Sequence, residues 1–123
     1  MEPQHLALGA EGEARAAEHL RRRGYRIVAR NVRAGGVEID LIARRGSLIV
    51  FVEVKTRRSQ SLGPPEQAVD GRKRARLVRA AAAWLHAHPG AARRARFDVI
   101  VCEPDTKAEW RLRHLEGAFD AND

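Results

Sequence analysis

The chain has a single cysteine, Cys102. Neither an internal disulfide nor a cysteine-rich zinc site can therefore form. One unpaired thiol fits a reducing compartment, and the cytoplasm is the expected location. Aromatic residues make up only 5% of the sequence, too few for a platform that stacks the bases of a single strand. The longest apolar run, Leu48 to Val52, is far short of the roughly 20 residues that span a bilayer, so no membrane segment is expected. Met1-Glu2-Pro3-Gln4-His5 lacks a basic stretch followed by an apolar one, and no signal peptide is expected. Acidic residues are outnumbered, 16 to 23, leaving a net charge of +7. Most of that positive charge is arginine, whose forked donors match phosphate. A basic balance points to nucleic acid first and an anionic membrane surface second. An arginine bias of genomic origin is the other source that charge alone permits.

The 123 residues suit one domain with its own core. Residues 1–116 are assigned to that domain and 117–123 to a flexible tail. Leu6, Ala10, Ala14, Ala17 and Leu20 recur at helical spacing and predict a helix over residues 6–23, stopped by Gly24. Tyr25 to Arg33 reads as a strand, with Gly35-Gly36 as a turn. Val37 to Arg45 and Leu48 to Thr56 form a hairpin about Arg45-Gly46-Ser47. Its second strand is apolar on both faces, the mark of a central strand covered on both sides. A polar loop, Arg57 to Pro65, leads to a second helix from Glu66 to about His88. Phe97 to Cys102 and Trp110 to Leu115 complete the set. The reading is one α/β domain of order αβββαββ with a mixed sheet flanked by helices.

Within that frame the informative residues are Asp40, Glu53 and Lys55. Twelve residues separate the two acids, and Lys55 follows Glu53 by two. Adjacent strands can set Asp40 and Glu53 side by side, where hard carboxylate oxygens would hold magnesium or manganese. Lys55 shares the strand face of Glu53 and is placed to position or deprotonate water, or to neutralise charge on a phosphate. The backbone carbonyl of Val54 is a further ligand candidate. A charged pair at the end of a doubly buried strand is costly unless it has work to do. A hairpin charge network is the plainer alternative. Glu38 is either an extra ligand or a solvated edge acid. Glu13, on the first helix, reaches the site only if that helix crosses the sheet.

Gly12-Glu13, Glu38-Ile39-Asp40-Leu41-Ile42 and Phe51-Val52-Glu53-Val54-Lys55 together resemble the PD-(D/E)XK nuclease superfamily. More closely the chain is similar to the YraN-like family of small bacterial endonuclease-like proteins, which resemble archaeal Holliday-junction resolvases. The likeness covers nearly the whole chain, including Arg96-Phe97-Asp98-Val99. It implies a restriction-endonuclease-like fold, Asp40 and Glu53 as metal ligands, Lys55 as the catalytic lysine and Glu13 as a helix-borne active-site acid. Ile39 stands where the superfamily pattern has proline; an apolar residue there still makes a strand.

Arg57 and Arg58 adjoin the site, while Arg72, Lys73, Arg74, Arg76 and Arg79 crowd the start of the second helix. These are candidate contacts to nucleic-acid phosphates, or simply a solvated helix face. Arg93, Arg94 and Arg96 form a third cluster. His86 and His88 are two apart and do not share a helix face. His5, His19 and His114 have no evident partners. Trp84 reads as core, and Asp98 as a structural acid paired with Arg96 or a helix start.

The function expected is a magnesium- or manganese-dependent DNA endonuclease acting on branched or damaged duplexes, with a homodimer if both strands of a junction are cut. A nuclease-fold DNA-binding or adaptor protein with structural acids is the alternative. An RNA-binding protein of ribosomal type has charge as its only support.

Overall fold

The computed structural model describes residues 4–57, 70–104 and 109–120, with side chains from residue 8 onward. Helix α1 (Gln4–Arg22) is followed by β1 (Arg26–Ala34), β2 (Val37–Arg45) and β3 (Leu48–Thr56). Helix α2 (Gly71–Ala87), β4 (Arg94–Pro104) and β5 (Trp110–Phe119) follow. The order αβββαββ is the expected one, and the architecture is consistent with a restriction-endonuclease-like fold. Residues 58–69 lie outside the described residues; they include Arg58, most of the expected loop, and the expected start of the second helix at Glu66.

The strands form one sheet in the order β1-β2-β3-β4-β5. β3 pairs with β4 in parallel, and the other three pairings are antiparallel. The parallel step follows from the chain between β3 and β4, which carries α2 across one face before it returns. The β2–β3 hairpin has the predicted bounds, because Gly46 at φ 61° supplies a left-handed turn residue between two strongly apolar strands.

The two helices cover opposite faces. α1 sets Ala16, Ala17 and Leu20 against Leu41, Val50, Val52 and Ile100. α2 sets Leu77, Ala80, Ala81 and Trp84 against Ile42, Phe51 and Val99. β3 is thus buried from both sides, as its sequence predicts. The buried stripe of α1 differs from the predicted one, since Ala10 and Ala14 face solvent. Small side chains at Gly12, Ala16 and Ala17 bring the helix close to the sheet, and a leucine-led stripe is not needed.

β5 runs on to Phe119, past residue 116 where a tail is predicted to begin. Phe119 is buried and its ring stacks on Phe97 at 4.9 Å between centroids. That contact holds the strand to its end.

Beneath α1, the fully buried Asp98 is met by four donors. Arg96 Nε and Nη2 approach its carboxylate at 2.8 and 2.9 Å, His114 Nε2 at 2.6 Å and the Gly117 amide at 3.0 Å. Burial works against the charge, but these hydrogen bonds prevail and hold its pKa below the usual aspartate value. The expected pairing with Arg96 is present. His19 and His114 do have partners: their rings meet, Nε2 to Nδ1, at 3.2 Å. That bond ties α1 to β5.

Candidate functional site

β2 and β3 are paired from Arg45↔Leu48 as far as Leu41↔Val52, and the ladder stops there. One step beyond stand Asp40 and Glu53. The regular alternation of β2 also slips at this point: Ile39 packs in the α2 layer while Leu41 packs in the α1 layer, although residues two apart normally share a face. Where a backbone pair would come next, the Val54 amide instead donates to Asp40 Oδ2 at 2.8 Å. The two strands part at their ends, and the gap is filled with charge.

A cavity of about 310 Å³ opens at this parting, lined by Glu13, Asp40, Glu53, Val54, Lys55, Thr56 and Lys73 among others. The four residues predicted to carry chemistry, Glu13, Asp40, Glu53 and Lys55, are therefore brought together. Carboxylate oxygens of Glu13, Glu38 and Asp40 lie within 4.8 Å of one another. Glu53 shares a hydrogen bond with Asp40. Glu38 is thus part of the acid cluster, its side chain exposed at the rim. A larger cavity of about 360 Å³, between α2 and β5, has Glu116 as its only acid and offers no comparable chemistry.

Glu13 arrives from the α1 layer. It stands three and four residues before Ala16 and Ala17, so it continues the buried stripe of its helix toward the sheet's end. Gly12 makes the approach feasible, since a Cβ at this position would collide with Thr56 Oγ1. Asn31 hydrogen-bonds the Glu13 carboxylate. Its backbone is left-handed, φ 49°, a conformation that asparagine tolerates better than most residues. It sits in β1 between Arg30, paired with Leu41, and Val32, paired with Ile39, and so flanks Asp40.

The electrostatics follow from crowding acids out of water. Burial, then the Glu53-facing Asp40 charge, pushes the Glu53 carboxyl up to about 7 despite the ion pair with Lys73. Burial also raises Asp40, opposed by the Val54 amide and by Glu53, which donates the shared proton. Glu13 is raised by burial and by the Asp40 and Glu38 charges, and the Asn31 hydrogen bond works in the other direction. Neutralising such a cluster requires protons or a cation. Among the described residues the carboxylate donors Glu13, Glu38, Asp40 and Glu53 offer oxygen, with no histidine or cysteine in the lining, and fit a hard divalent ion of the magnesium class.

The predicted basic contacts divide. Arg72 and Arg76 are exposed one turn apart on α2. Arg74 turns toward β5, its guanidinium 6.0 Å from the Phe119 ring centre. Lys73 turns inward and pairs with Glu53. Arg57, expected on the nucleic-acid surface, is instead buried, with Nε 3.3 Å from Glu103 Oε2. Its amide also donates to the Cys102 carbonyl at 3.0 Å, so the chain leaving β3 is held beside β4 and the side chain is drawn inside. Lys73, expected among the nucleic-acid contacts, also lines the cavity and pairs with Glu53, a place in the site that the sequence analysis did not assign to it. The signal was present: Lys73 lies four residues before Leu77, on the stripe that Ala80, Ala81 and Trp84 continue.

Residues 12–102 match the family model described as Uncharacterised protein family UPF0102, a span that includes Glu13, Asp40, Glu53, Lys55 and Lys73. The chain belongs to the UPF0102 family. A UPF0102 protein of Nitratidesulfovibrio vulgaris (strain DP4) is 49% identical over 93% of this chain and 84% of the relative. One from Symbiobacterium thermophilum is 46% identical over 93% of this chain and 97% of its own length. One from Frankia casuarinae is 44% identical, covering 92% and 96%. UPF0102 is the family whose resemblance the motifs around Glu13, Asp40 and Glu53 carry.

Proposed function

We propose that this UPF0102 chain is a divalent-cation-dependent endonuclease that hydrolyses phosphodiester bonds in DNA, with branched or damaged duplexes as substrates. One observation carries the reading: Glu13, Asp40, Glu53 and Lys55 converge on a single cavity at the parted ends of β2 and β3. Asp40 and Glu53 would hold magnesium or manganese, with Glu13 and Glu38 at the rim and the Val54 carbonyl a further donor. A bound ion of that kind polarises a phosphate and acidifies its water. The protein's own part is to supply charge and position. Lys55 is exposed on the cavity wall, where its ammonium can offset the charge that develops on a phosphate under attack. Glu13 can accept a proton from water held between it and Asp40. Arg72 and Arg76 present two cations one helical turn apart, suited to the phosphates of one strand. Among the described residues no helix is long and apolar enough to cross a membrane. A lone buried thiol and a DNA substrate are in keeping with a cytoplasmic protein. One cavity cuts one strand, so paired cuts in a junction would need a homodimer.

A second reading has one specific observation in its favour. Lys73 already neutralises Glu53, as expected of a nuclease-like fold that binds DNA without cutting it. The deciding experiment is cleavage of a labelled four-way junction, a matched duplex and single-stranded DNA in magnesium or manganese, with Asp40→Ala prepared identically. Cutting by the parent and not by the variant supports the nuclease. Tight binding that persists in chelator, with no cutting, supports the binding protein.

A further inference from the structure

Lys73 stands at the meeting point of three features that the proposed chemistry does not use. Its ammonium pairs with Glu53. The Lys73 side chain is 43% exposed while that of Glu53 is 6% exposed, so the cation has an open side and the carboxylate has none. Its backbone is fixed, because the N-cap Asp70 accepts from the Lys73 amide at 3.0 Å. The ammonium therefore moves only by rotation of its four-carbon stem, over a few ångströms. Within that reach lies the cavity that Lys55 also lines.

The carboxylate that Lys73 holds is one of the two assigned to the cation. Lys73 pairs with Glu53 Oε1, and a divalent ion bound to that oxygen competes with the ammonium for it. When the ion takes that oxygen, Lys73 is left as a half-exposed cation at the mouth of a cavity that Lys55 also lines. The group that would then satisfy it is a phosphate. Lysine suits that task, as a compact charge that reorients at little cost.

We propose that Lys73 is a second phosphate-binding lysine of this site, held by Glu53 until a divalent cation displaces it onto the nucleic-acid backbone. This rests on the metal-dependent reading of the same cavity. It gives Lys73 two effects of opposite sign. Before the cation arrives, Lys73 competes with it. Afterwards, Lys73 helps to hold DNA.

The test uses the full chain as parent, Lys73→Gln and Lys73→Met, the last keeping the stem that continues the α2 stripe. Each is checked for folding by its thermal transition. Manganese affinity is measured by calorimetry without DNA, and affinity for a duplex oligonucleotide is measured in chelator and in calcium. The expected result is manganese binding tightened roughly tenfold in both variants, as removal of one competing charge implies. Duplex binding in calcium should weaken by about fivefold to tenfold, and in chelator it should match the parent. Manganese affinity that is unchanged or weaker overturns the proposal. So does equal loss of DNA binding with and without the cation, which marks Lys73 as an ordinary surface contact. A parent that binds no manganese overturns it as well. A parent that binds manganese yet cuts no DNA removes the nuclease reading alone, and the manganese comparison still decides the role of Lys73.

Discussion

The Val54 amide donates to Asp40 Oδ2 at 2.8 Å, one step past the last backbone pair between their strands. A side chain has taken the place of a ladder bond, and it is a side chain that the proposed chemistry uses. Asparagine at position 40 keeps an oxygen for that amide and removes the charge. Asp40→Asn should therefore melt close to the parent yet lose at least ~100-fold in cleavage. Asp40→Ala should in addition lose about 1 kcal/mol of stability from the orphaned amide. Urea titrations beside cleavage assays separate the two effects; an Asp40→Asn protein that cuts normally would remove Asp40 from the chemistry.

Glu53 gives the site a pH dependence. Its carboxyl is raised from 4.5 to about 7 by burial and by Asp40, so the folded protein holds that proton more tightly than the unfolded chain does. The resulting stability is complete below pH 4.5 and is lost as pH rises through about 7. In chelator, the free energy of unfolding should fall progressively from about pH 4.5 to just above pH 7, by about 3 kcal/mol at most. Glu53→Gln should flatten that slope. Cation binding should release close to one proton below pH 7, because the ion requires the ionised carboxylate. Calorimetry in buffers of different ionisation enthalpy reads that proton directly.

Two residues support Glu13 without a part in the proposed chemistry. Gly12→Ala would force α1 away from Thr56, at a cost of about 1–3 kcal/mol. Asn31→Val would strain a left-handed position and remove the Glu13 hydrogen bond. Asn31→Gly keeps the backbone at ease and removes only the bond. Manganese affinity should fall in both Asn31 variants, while the melting temperature should fall mainly in Asn31→Val. Full manganese affinity in Asn31→Gly would show that Glu13 needs no such support.

Arginines on this basic chain should behave as two classes. Arg72→Ala and Arg76→Ala remove exposed cations and should each lower the slope of log affinity against log salt by about 1, leaving stability unchanged. Arg57→Ala removes the nearer of the two arginines that pair with the buried Glu103, leaving Arg113 at 3.9 Å, and should cost about 3 kcal/mol. Its effect on DNA binding should vanish once only folded protein is counted. A salt slope altered by Arg57→Ala in the folded state would return that residue to the DNA surface.

The legible parts of this molecule were those decided by local pattern. The β2–β3 hairpin declares itself through Gly46 between apolar strands, and β3 through apolar residues on both of its faces. Asp40, Glu53 and Lys55 follow once that hairpin is in register. Glu13 was readable only as a candidate, because nothing local states that α1 crosses β3; the small residues Gly12, Ala16 and Ala17 hold that information. The pairing of Lys73 with Glu53 and the burial of Arg57 were not legible, for a common reason. A cation within an arginine-rich segment looks solvated until a particular buried acid, Glu53 or Glu103, is known to face it. The pairing of His19 with His114 spans 95 residues, and no spacing rule reaches that far. β5 outlasted its predicted end because the Phe119 ring finds Phe97 on the neighbouring strand.

The donors of the cavity come from both sides of the sheet: Glu13 from the α1 layer, Lys73 from the α2 layer, and Asp40 and Glu53 from the strands between them. A ligand seated there would act as a rivet through all three layers. Neither helix could peel away without breaking its grip, so two openings that are otherwise independent would become one. Amide exchange in α1 and α2 would then slow by a common factor, set by the ligand's concentration relative to its affinity.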